Sequence, residues 1–233
     1  MMEYLDQFAA FLSVYPAKLP QWEGVLIRAI KTTLIVTAGS FAVALVIGVL
    51  LALARLSKNA LLRGIARFYI EIARGVPALV ILFLLYFGLP PLGIVMDAVP
   101  TAILGLGLST GGYVAEIIRA GIEATHKGQR EAGLTIGMSS WQINRYIILP
   151  QAARISLPSL MNTLITVLKD SSLASLITAP ELMLRAKAIS STDFLPMHIL
   201  LLVGAIYLCL AIPLSQLSRL LERRMFSKLG NRM

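Results

Sequence analysis

Long uncharged stretches alternate with short charged segments along the chain. Four stretches contain no Asp, Glu, Lys or Arg, and they are 32–54, 75–96, 98–115 and 194–218. A fifth, 155–177, is uncharged except for Lys169 and Asp170. A helix needs roughly 20 apolar residues to cross a bilayer, and it bonds all of its backbone polar groups internally. The pattern therefore predicts five transmembrane helices, at approximately 30–55, 68–92, 98–119, 155–178 and 194–219.

The charged segments predict how these helices are oriented. Lys and Arg concentrate after the first, third and fifth stretches, whereas 90–97, after the second, has neither. Cytoplasmic loops of membrane proteins carry the excess of Lys and Arg. We therefore expect the N-terminus outside and the C-terminus in the cytoplasm.

Composition supports an all-α integral membrane protein with a single transmembrane domain, 1–233. The chain is 57% hydrophobic and 14% charged, with a mean hydropathy of +0.79. A soluble domain of this size needs more polar residues. The net charge of +9 follows the ends of the spans, so no nucleic acid is expected as a partner. The single cysteine, Cys209, excludes an internal disulfide.

The segment between the third and fourth spans is hydrophilic but patterned. A short helix is predicted over 129–136, ended by Gly137. Ser139 and Gln142 have the spacing of a capping box, which begins a second helix that Pro150 interrupts. Two ordered helices here suggest a docking surface. The alternative is a connector that lies on the membrane.

The fourth span carries a polar stripe. Its polar side chains fall within an arc of about 120°, and they are Ser159, Asn162, Thr163, Thr166, Lys169 and Asp170. A charge at mid-membrane costs roughly 2.5–3.5 kcal/mol on insertion scales, so this pair requires a reason. Either the stripe lines the path of a polar solute, whose carboxylate and ammonium groups meet the two charges, or the charges satisfy each other and neighbouring helices. Asn162 and Thr166 favour the path.

Two further charge pairs lie near helix ends. Glu71 and Arg74 are three residues apart, as are Glu116 and Arg119, so each pair shares one helical face. We expect structural ion pairs, with gating contacts as the alternative. Pro77 lacks an N–H, which predicts a kink or a half-helix beside Arg74.

Other motifs point to packing rather than to chemistry. Gly107 and Gly111 form a small-xxx-small pair that allows two helices to approach closely. His126 and His198 have no partners at metal-ligand spacing, and no serine or cysteine stands beside a base. No catalytic residue and no metal site are predicted.

Two groups of motifs resemble the permease subunits of bacterial ABC importers. The first resembles their EAA loop and consists of Gly128-Gln129-Arg130-Glu131-Ala132-Gly133, Gly137 and Ile148-Leu149-Pro150. The second is similar to the polar amino acid branch and consists of Leu149-Pro150-Gln151-Ala152-Ala153-Arg154, Leu157-Pro158, Asn162, Lys169-Asp170-Ser171-Ser172-Leu173, Arg74-Gly75-Val76-Pro77 and Ala115-Glu116-Ile117-Ile118-Arg119. The resemblance covers residues 24–225.

The resemblance implies a type I ABC importer-like permease in the bacterial inner membrane, and not an enzyme. In this family the EAA segment, here within 125–150, forms the coupling helix that inserts into a cytoplasmic ABC ATPase dimer. The matching positions are Gly128, Glu131, Ala132 and Gly137. A second permease subunit, identical or homologous, and an extracytoplasmic solute-binding protein are implied as partners, with membrane lipid around them. This chain binds no cofactor in that scheme, because ATP and Mg are used by the ATPase.

Three positions depart from the family pattern. Gly133 stands where alanine is usual, Val76 where threonine is usual, and Thr163 where an acidic or amide residue is common. Gly133 is expected to soften its helix. Thr163 puts a direct substrate contact at that position in doubt.

The substrate is left open among polar amino acids. The whole pattern, including 67–70 and 99–102, looks closest to L-cystine permeases, with glutamine, glutamate, histidine or arginine as alternatives. Two other classes of protein stay open beside the importer subunit. One is a self-contained channel built around the polar stripe, and the other is an intramembrane enzyme that uses Asp170 or Glu116.

Overall fold

The computed structural model describes residues 2–125 and 127–230, and every regular element in these ranges is helical. The α-helices are α1 (Met2–Arg55), α2 (Ala60–Gly75), α3 (Ala78–Gly88), α4 (Ala98–Glu123), α5 (Lys127–Thr135), α6 (Ser140–Ile143), α7 (Leu149–Asp170), α8 (Leu182–Asp193) and α9 (Pro196–Gly230). Short 3₁₀ turns span Pro90–Leu92 and Ser171–Ile177, and a π-helical turn spans Asn144–Ile148.

Three described helices are long and apolar enough to cross a membrane. They are Ala10–Arg55 within α1, Ala98–Glu123 and Pro196–Arg223 within α9. The pair α2 and α3 makes a fourth if it counts as one broken span, since the two helices are bent by 100°. The remaining predicted span corresponds to α7, which the polar stripe excludes from this group. The count of five crossings stays a prediction, as does the orientation of the termini.

Close packing of α1 on α4 is made possible by glycine. A Cβ on Gly107 would lie 2.6 Å from Val43 Cγ1, and one on Gly111 would lie 2.8 Å from Ile47 Cγ2. Neither site has room for a side chain, so α1 and α4 touch along the small-xxx-small pair. The prediction that these glycines serve helix packing is confirmed.

Two apolar clusters hold the helices together. The first joins the N-terminal half of α1 to α8 and α9 through Trp22, Leu26, Ala29, Leu182, Ala186, Ile199 and Val203. The second joins α1, α3, α4 and the turn after α7 through Val36, Leu82, Ala102, Leu106, Ala174, Ile177 and Ala179. Van der Waals contacts among these close-packed side chains fix the positions of the helices relative to one another.

The segment between α4 and α7 differs from prediction at Pro150. The predicted second helix begins at Ser140, but it does not end before Pro150, since it continues through the π-helical turn Asn144–Ile148 into α7. Pro150 lies in the first turn of α7 and does not interrupt a helix there. The N–H of Leu149 bonds to Asn144 O, five residues back, so the helix widens by a π-helical turn just before Pro150, which has no N–H to donate.

The predicted fourth span also changes form at its end. The α-helical part stops at Asp170, and Ser171–Ile177 continues as a 3₁₀ turn. The turn ends at Thr178, whose φ of +65° is unusual for a β-branched residue. The chain therefore leaves the polar stripe through a tight turn rather than a straight helix.

Candidate functional site

A cavity of about 1200 Å³ lies between the broken helix pair, α4 and α7. Its walls are residues 74–79 at the break, part of α4 between Ser109 and Ala124, and part of α7 between Ile155 and Asp170. Leu173, in the following 3₁₀ turn, completes it. The space is large enough for an amino acid.

One wall of the cavity is the predicted polar stripe. Ser159, Asn162, Thr163, Thr166 and Asp170 all line it. Lys169, the remaining member of the predicted stripe, is exposed and is not among the lining residues. Of the two charged residues, only Asp170 therefore lines the cavity.

Most hydroxyl groups of the stripe bond within α7. The hydroxyl of Thr163 donates to Ser159 O at 3.0 Å, and that of Thr166 donates to Asn162 O at 3.2 Å. The side chain of Asn162 accepts a hydrogen bond from Ser218 of α9 at 3.2 Å. The acceptor oxygens of both threonines remain open to the cavity, since a hydroxyl can donate and accept at once.

The opposite wall is the helix break predicted at Pro77. The N–H of Val76 bonds to Ile72 O at 2.9 Å and closes α2, and Pro77 then serves as the N-cap residue of α3. Because proline has no N–H and fixes φ, the chain restarts as a new helix in another direction. The predicted half-helix is confirmed.

The break places Arg74 at the cavity rather than beside Glu71. Its guanidinium lies over the ring of Tyr113, 5.6 Å from the ring centre, and its carbonyl accepts a hydrogen bond from the same tyrosine at 3.2 Å. Glu71 pairs with Arg67 instead, at 3.6 Å on the exposed side of α2. The predicted pair between Glu71 and Arg74 is wrong, because the end of α2 turns Arg74 towards α4.

The second predicted pair is confirmed on α4. Arg119 donates to Glu116 Oε2 from two nitrogens, at 2.7 Å and 3.1 Å. The same guanidinium bonds to Glu123 at 2.6 Å, and Arg55 of α1 approaches Glu116 to 4.0 Å. The contacts of Glu123 and Arg55 with this pair were not predicted from the sequence. The spacing of Arg119 and Glu123 is that of a helical ion pair, whereas the approach of Arg55 depends on how α1 packs.

Two charged residues of the cavity form no ion pair among the residues that the structure describes. Arg74, Glu116, Arg119 and Asp170 all line it, and the second and third pair with each other. Neither Asp170 nor Arg74 forms an ion pair with any residue in the part of the chain that the structure describes. The cavity thus presents one free carboxylate and one guanidinium on different helices.

The predicted docking segment connects α4 to α7, two of the helices that line the cavity. Gly128, Glu131 and Ala132 are exposed on α5, and Gly137 follows it with a φ of +81°, the left-handed conformation predicted for a helix end. Ser139 opens α6 with the predicted capping box. His126, just before α5, is outside the described residues.

Gly133 allows close packing within the docking segment. A Cβ on it would lie 2.8 Å from Cγ1 of Ile143, which is fully buried. The glycine therefore lets α5 press against α6. On the exposed side of the same segment, the rings of Trp141 and Tyr146 meet edge to face.

The fold and the cavity define a multi-pass membrane protein with a chamber between its helices that has a polar stripe along one wall. The profile of the family described as "Binding-protein-dependent transport system inner membrane component" matches residues 44–227. The chain belongs to this family, whose members are permease subunits and not enzymes.

Individual proteins agree with this assignment. A probable amino-acid ABC transporter permease of Bacillus subtilis, YckA, is 45% identical over 85% of this chain and 88% of its own length. The L-cystine transport system permease TcyB of the same organism is 38% identical over 86% of each chain. A crystal structure of an amino acid ABC transporter with histidines contains a chain that matches with a TM-score of 0.85 and 34% identity, over 89% of this chain and 97% of that one.

Proposed function

We propose that this chain is the permease subunit of an ATP-driven importer of polar amino acids in the bacterial cytoplasmic membrane. The observation that carries the proposal is the cavity, whose polar wall is the stripe of α7. Five crossings by α1, the pair α2 and α3, α4, α7 and α9 place the N-terminus outside and the C-terminus in the cytoplasm. The substrate passes between the helix break and the stripe.

The free charges of the cavity suit a zwitterion. An amino acid carries an ammonium group and a carboxylate, and each loses its hydration when it enters a chamber between apolar helices. Asp170 is placed to compensate the ammonium group and Arg74 the carboxylate, in a bond geometry that guanidinium groups favour. Asn162 and Thr166 offer further polar contacts between them. Arg74 thus has the role that was predicted for Lys169.

Transport is driven from outside this chain. In the proposed assembly α5 is the coupling helix, and Gly128, Glu131, Ala132 and Gly137 meet a cytoplasmic ABC ATPase dimer that binds ATP and Mg. A second permease subunit, identical or homologous, encloses the path from the other side. An extracytoplasmic solute-binding protein delivers the amino acid.

Cystine is the first candidate among the substrates, because a cystine permease is one of the similar proteins. Glutamine, glutamate, histidine and arginine remain alternatives within the same proposal. ATPase activity of the assembled transporter, measured with each amino acid and its binding protein, distinguishes them. The true substrate stimulates hydrolysis at the lowest concentration.

The role of the cavity is tested by uptake into proteoliposomes that contain the whole transporter. Asp170→Asn removes the charge and keeps the length of the side chain. Lys169→Gln is the matched control on the exposed side of α7. A hydrogen bond to a charged group contributes about 1.5–3 kcal/mol, which corresponds to about a 10- to 150-fold loss of kcat/KM for Asp170→Asn. The control retains native kinetics.

Three results would contradict the proposal. Equal effects of the two variants would mean that Asp170 does not contact the solute. Failure of Asp170→Asn to assemble with the ATPase would indicate a packing role. Uptake by the native protein without ATP would identify a channel.

A further inference from the structure

Glu181 is a buried carboxylate that the proposed path does not use. Its exposed fraction is 0%, and it serves as the N-cap residue of α8. The two carboxylate oxygens accept hydrogen bonds from Met183 N at 2.9 Å and Leu184 N at 2.8 Å. Tyr207 of α9 donates a third bond to Oε2 at 3.0 Å. Burial of an acidic group is costly unless its oxygens are bonded, and here each oxygen has a donor.

The residues around Glu181 attach to two more helices. We call Thr178–Leu182 the anchor segment. The N–H of Leu182 donates to Thr33 Oγ1 of α1 at 3.2 Å, and the hydroxyl of Thr178 bonds to that of Tyr86 of α3 at 3.0 Å. Together with the bond from Tyr207, these contacts tie one short stretch of chain to α1, α3 and α9.

The anchor segment lies near the end of the cavity that Asp170 and Leu173 line. The 3₁₀ turn Ser171–Ile177 begins immediately after Asp170 and contributes Leu173 to the wall. Beyond it, Ala174 and Ile177 pack with Val36, Leu82 and Leu106 in the second apolar cluster. On α4 the lining of the cavity starts at Ser109, and Ala102 and Leu106, which precede it, belong to the same apolar cluster.

We propose that Glu181 is a positioning residue that keeps this end of the translocation path closed. The inference rests on the proposed function of the cavity. By bonding α8 and α9 at once, the carboxylate fixes the anchor segment. The anchor segment in turn holds the 3₁₀ turn, with Leu173 and Ile177, against α1, α3 and α4. When these contacts are lost, the packing of the second apolar cluster around the 3₁₀ turn loosens, and solute crosses without ATP.

Helix capping and anchoring can be separated by substitution. Aspartate is among the preferred N-cap residues, so Glu181→Asp retains the cap of α8. Its side chain is one methylene shorter and no longer reaches Tyr207. A residue that only caps α8 tolerates this change, whereas a residue that joins α8 to α9 does not. Tyr207→Phe removes the same bond from the other side and leaves Glu181 in place.

The test uses the complete transporter in proteoliposomes, below the temperature at which each variant unfolds. Labelled amino acid is added outside, and its entry is followed first without and then with ATP. We expect Glu181→Asp and Tyr207→Phe to raise entry without ATP about 10-fold and to lower the amount of substrate taken up per ATP. Glu23→Asp, on the exposed side of α1, is the matched control and stays tight.

Each outcome decides the question. Tight vesicles and native coupling in both variants would overturn the role of Glu181, even if their thermal stability falls. If Glu181→Asp fails to assemble, Tyr207→Phe alone carries the decision. If the native protein shows no ATP-dependent uptake, the proposed function itself is contradicted. If both variants take up substrate as the native protein does, and neither leaks, only the role of Glu181 is contradicted.

Discussion

The contact between α4 and α7 at Gly121 gives a prediction whose size follows from the structure. A Cβ on Gly121 would overlap Ser156 Oγ and would lie 3.0 Å from Ala152 O. The hydroxyl can rotate, but the carbonyl belongs to the helix backbone and moves only with α7. Overpacking of this kind typically costs about 1–3 kcal/mol. We therefore expect Gly121→Ala to lower the free energy of unfolding by that amount.

The matched control is Gly204→Ala on α9. No atom lies within 4 Å of a Cβ added to Gly204. Alanine is favoured over glycine inside a helix by up to about 1 kcal/mol, so this variant should be neutral or slightly more stable. Both substitutions add the same methyl group to a helix, and a difference between them reports the α4–α7 contact alone.

A double-mutant cycle with Ser156→Ala tests the geometry further. The Ser156 hydroxyl donates to Ile117 O at 3.2 Å, and interhelical hydrogen bonds in membranes average about 0.6 kcal/mol. Its removal costs that bond but frees space for the new methyl group of Gly121→Ala. The double variant should be less destabilised than the sum of the single ones, by about 0.5–2 kcal/mol, because the two sites touch. Rescue stays incomplete since Ala152 O is unchanged.

Denaturant titration in detergent micelles measures these free energies, with size exclusion to show that each variant is folded beforehand. A Gly121→Ala variant as stable as Gly204→Ala would refute the close approach of α4 to α7. Additive effects in the cycle would show that Ser156 does not face Gly121. Either result would mean that α4 and α7 do not pack as described along this wall of the cavity.

Two further outcomes are expected. Glu131→Lys on the exposed face of α5 should abolish ATP-dependent uptake without loss of insertion, whereas the same charge change at Glu23 should not; normal uptake by the first variant would exclude coupling through α5. The hydrogen bond from the Trp22 indole, at 2.9 Å, lowers the pKa of Asp193 below its ordinary value of 3.8. Because the bond is present above that value and is weakened as the pH falls below it, acidification should change the fluorescence spectrum of Trp22 in a Trp141→Phe background. No change down to pH 2 would contradict the contact.

Features that depend on neighbours along the chain could be predicted from the sequence. Gly137 ends α5 in a left-handed conformation, and Ser139 and Gln142 form the capping box, because both motifs need only residues within one helical turn. The polar stripe of α7 could be predicted from the sequence for a related reason. Polar side chains are costly in a membrane, so a cluster of them on one helical face requires a polar surface to meet.

Identical spacing did not guarantee an identical contact. Glu71 and Arg74 have the same separation as Glu116 and Arg119, but only the second pair forms. α4 continues past Arg119 to Glu123, so both side chains keep a helical backbone, whereas α2 ends directly after Arg74. At a helix end the side chain follows the tertiary surroundings, and for Arg74 these are the ring and the hydroxyl of Tyr113. Pro77 made the helix break predictable from the sequence, but the contact of Arg74 with Tyr113 was not predictable.

Glu181 shows why the hydrophobic pattern misses some buried charges. The cost of a charge depends on its depth in the folded protein, but the sequence indicates depth only through the apolar residues on either side. Glu181 follows Pro180 in a stretch that reads as a polar loop, where an acidic residue needs no explanation. Its burial arises because Thr33 and Tyr207, distant in the chain, close over the anchor segment. The polar stripe was therefore predictable from α7 alone, whereas the carboxylate that holds the adjoining turn could be found only once α1, α8 and α9 were packed together.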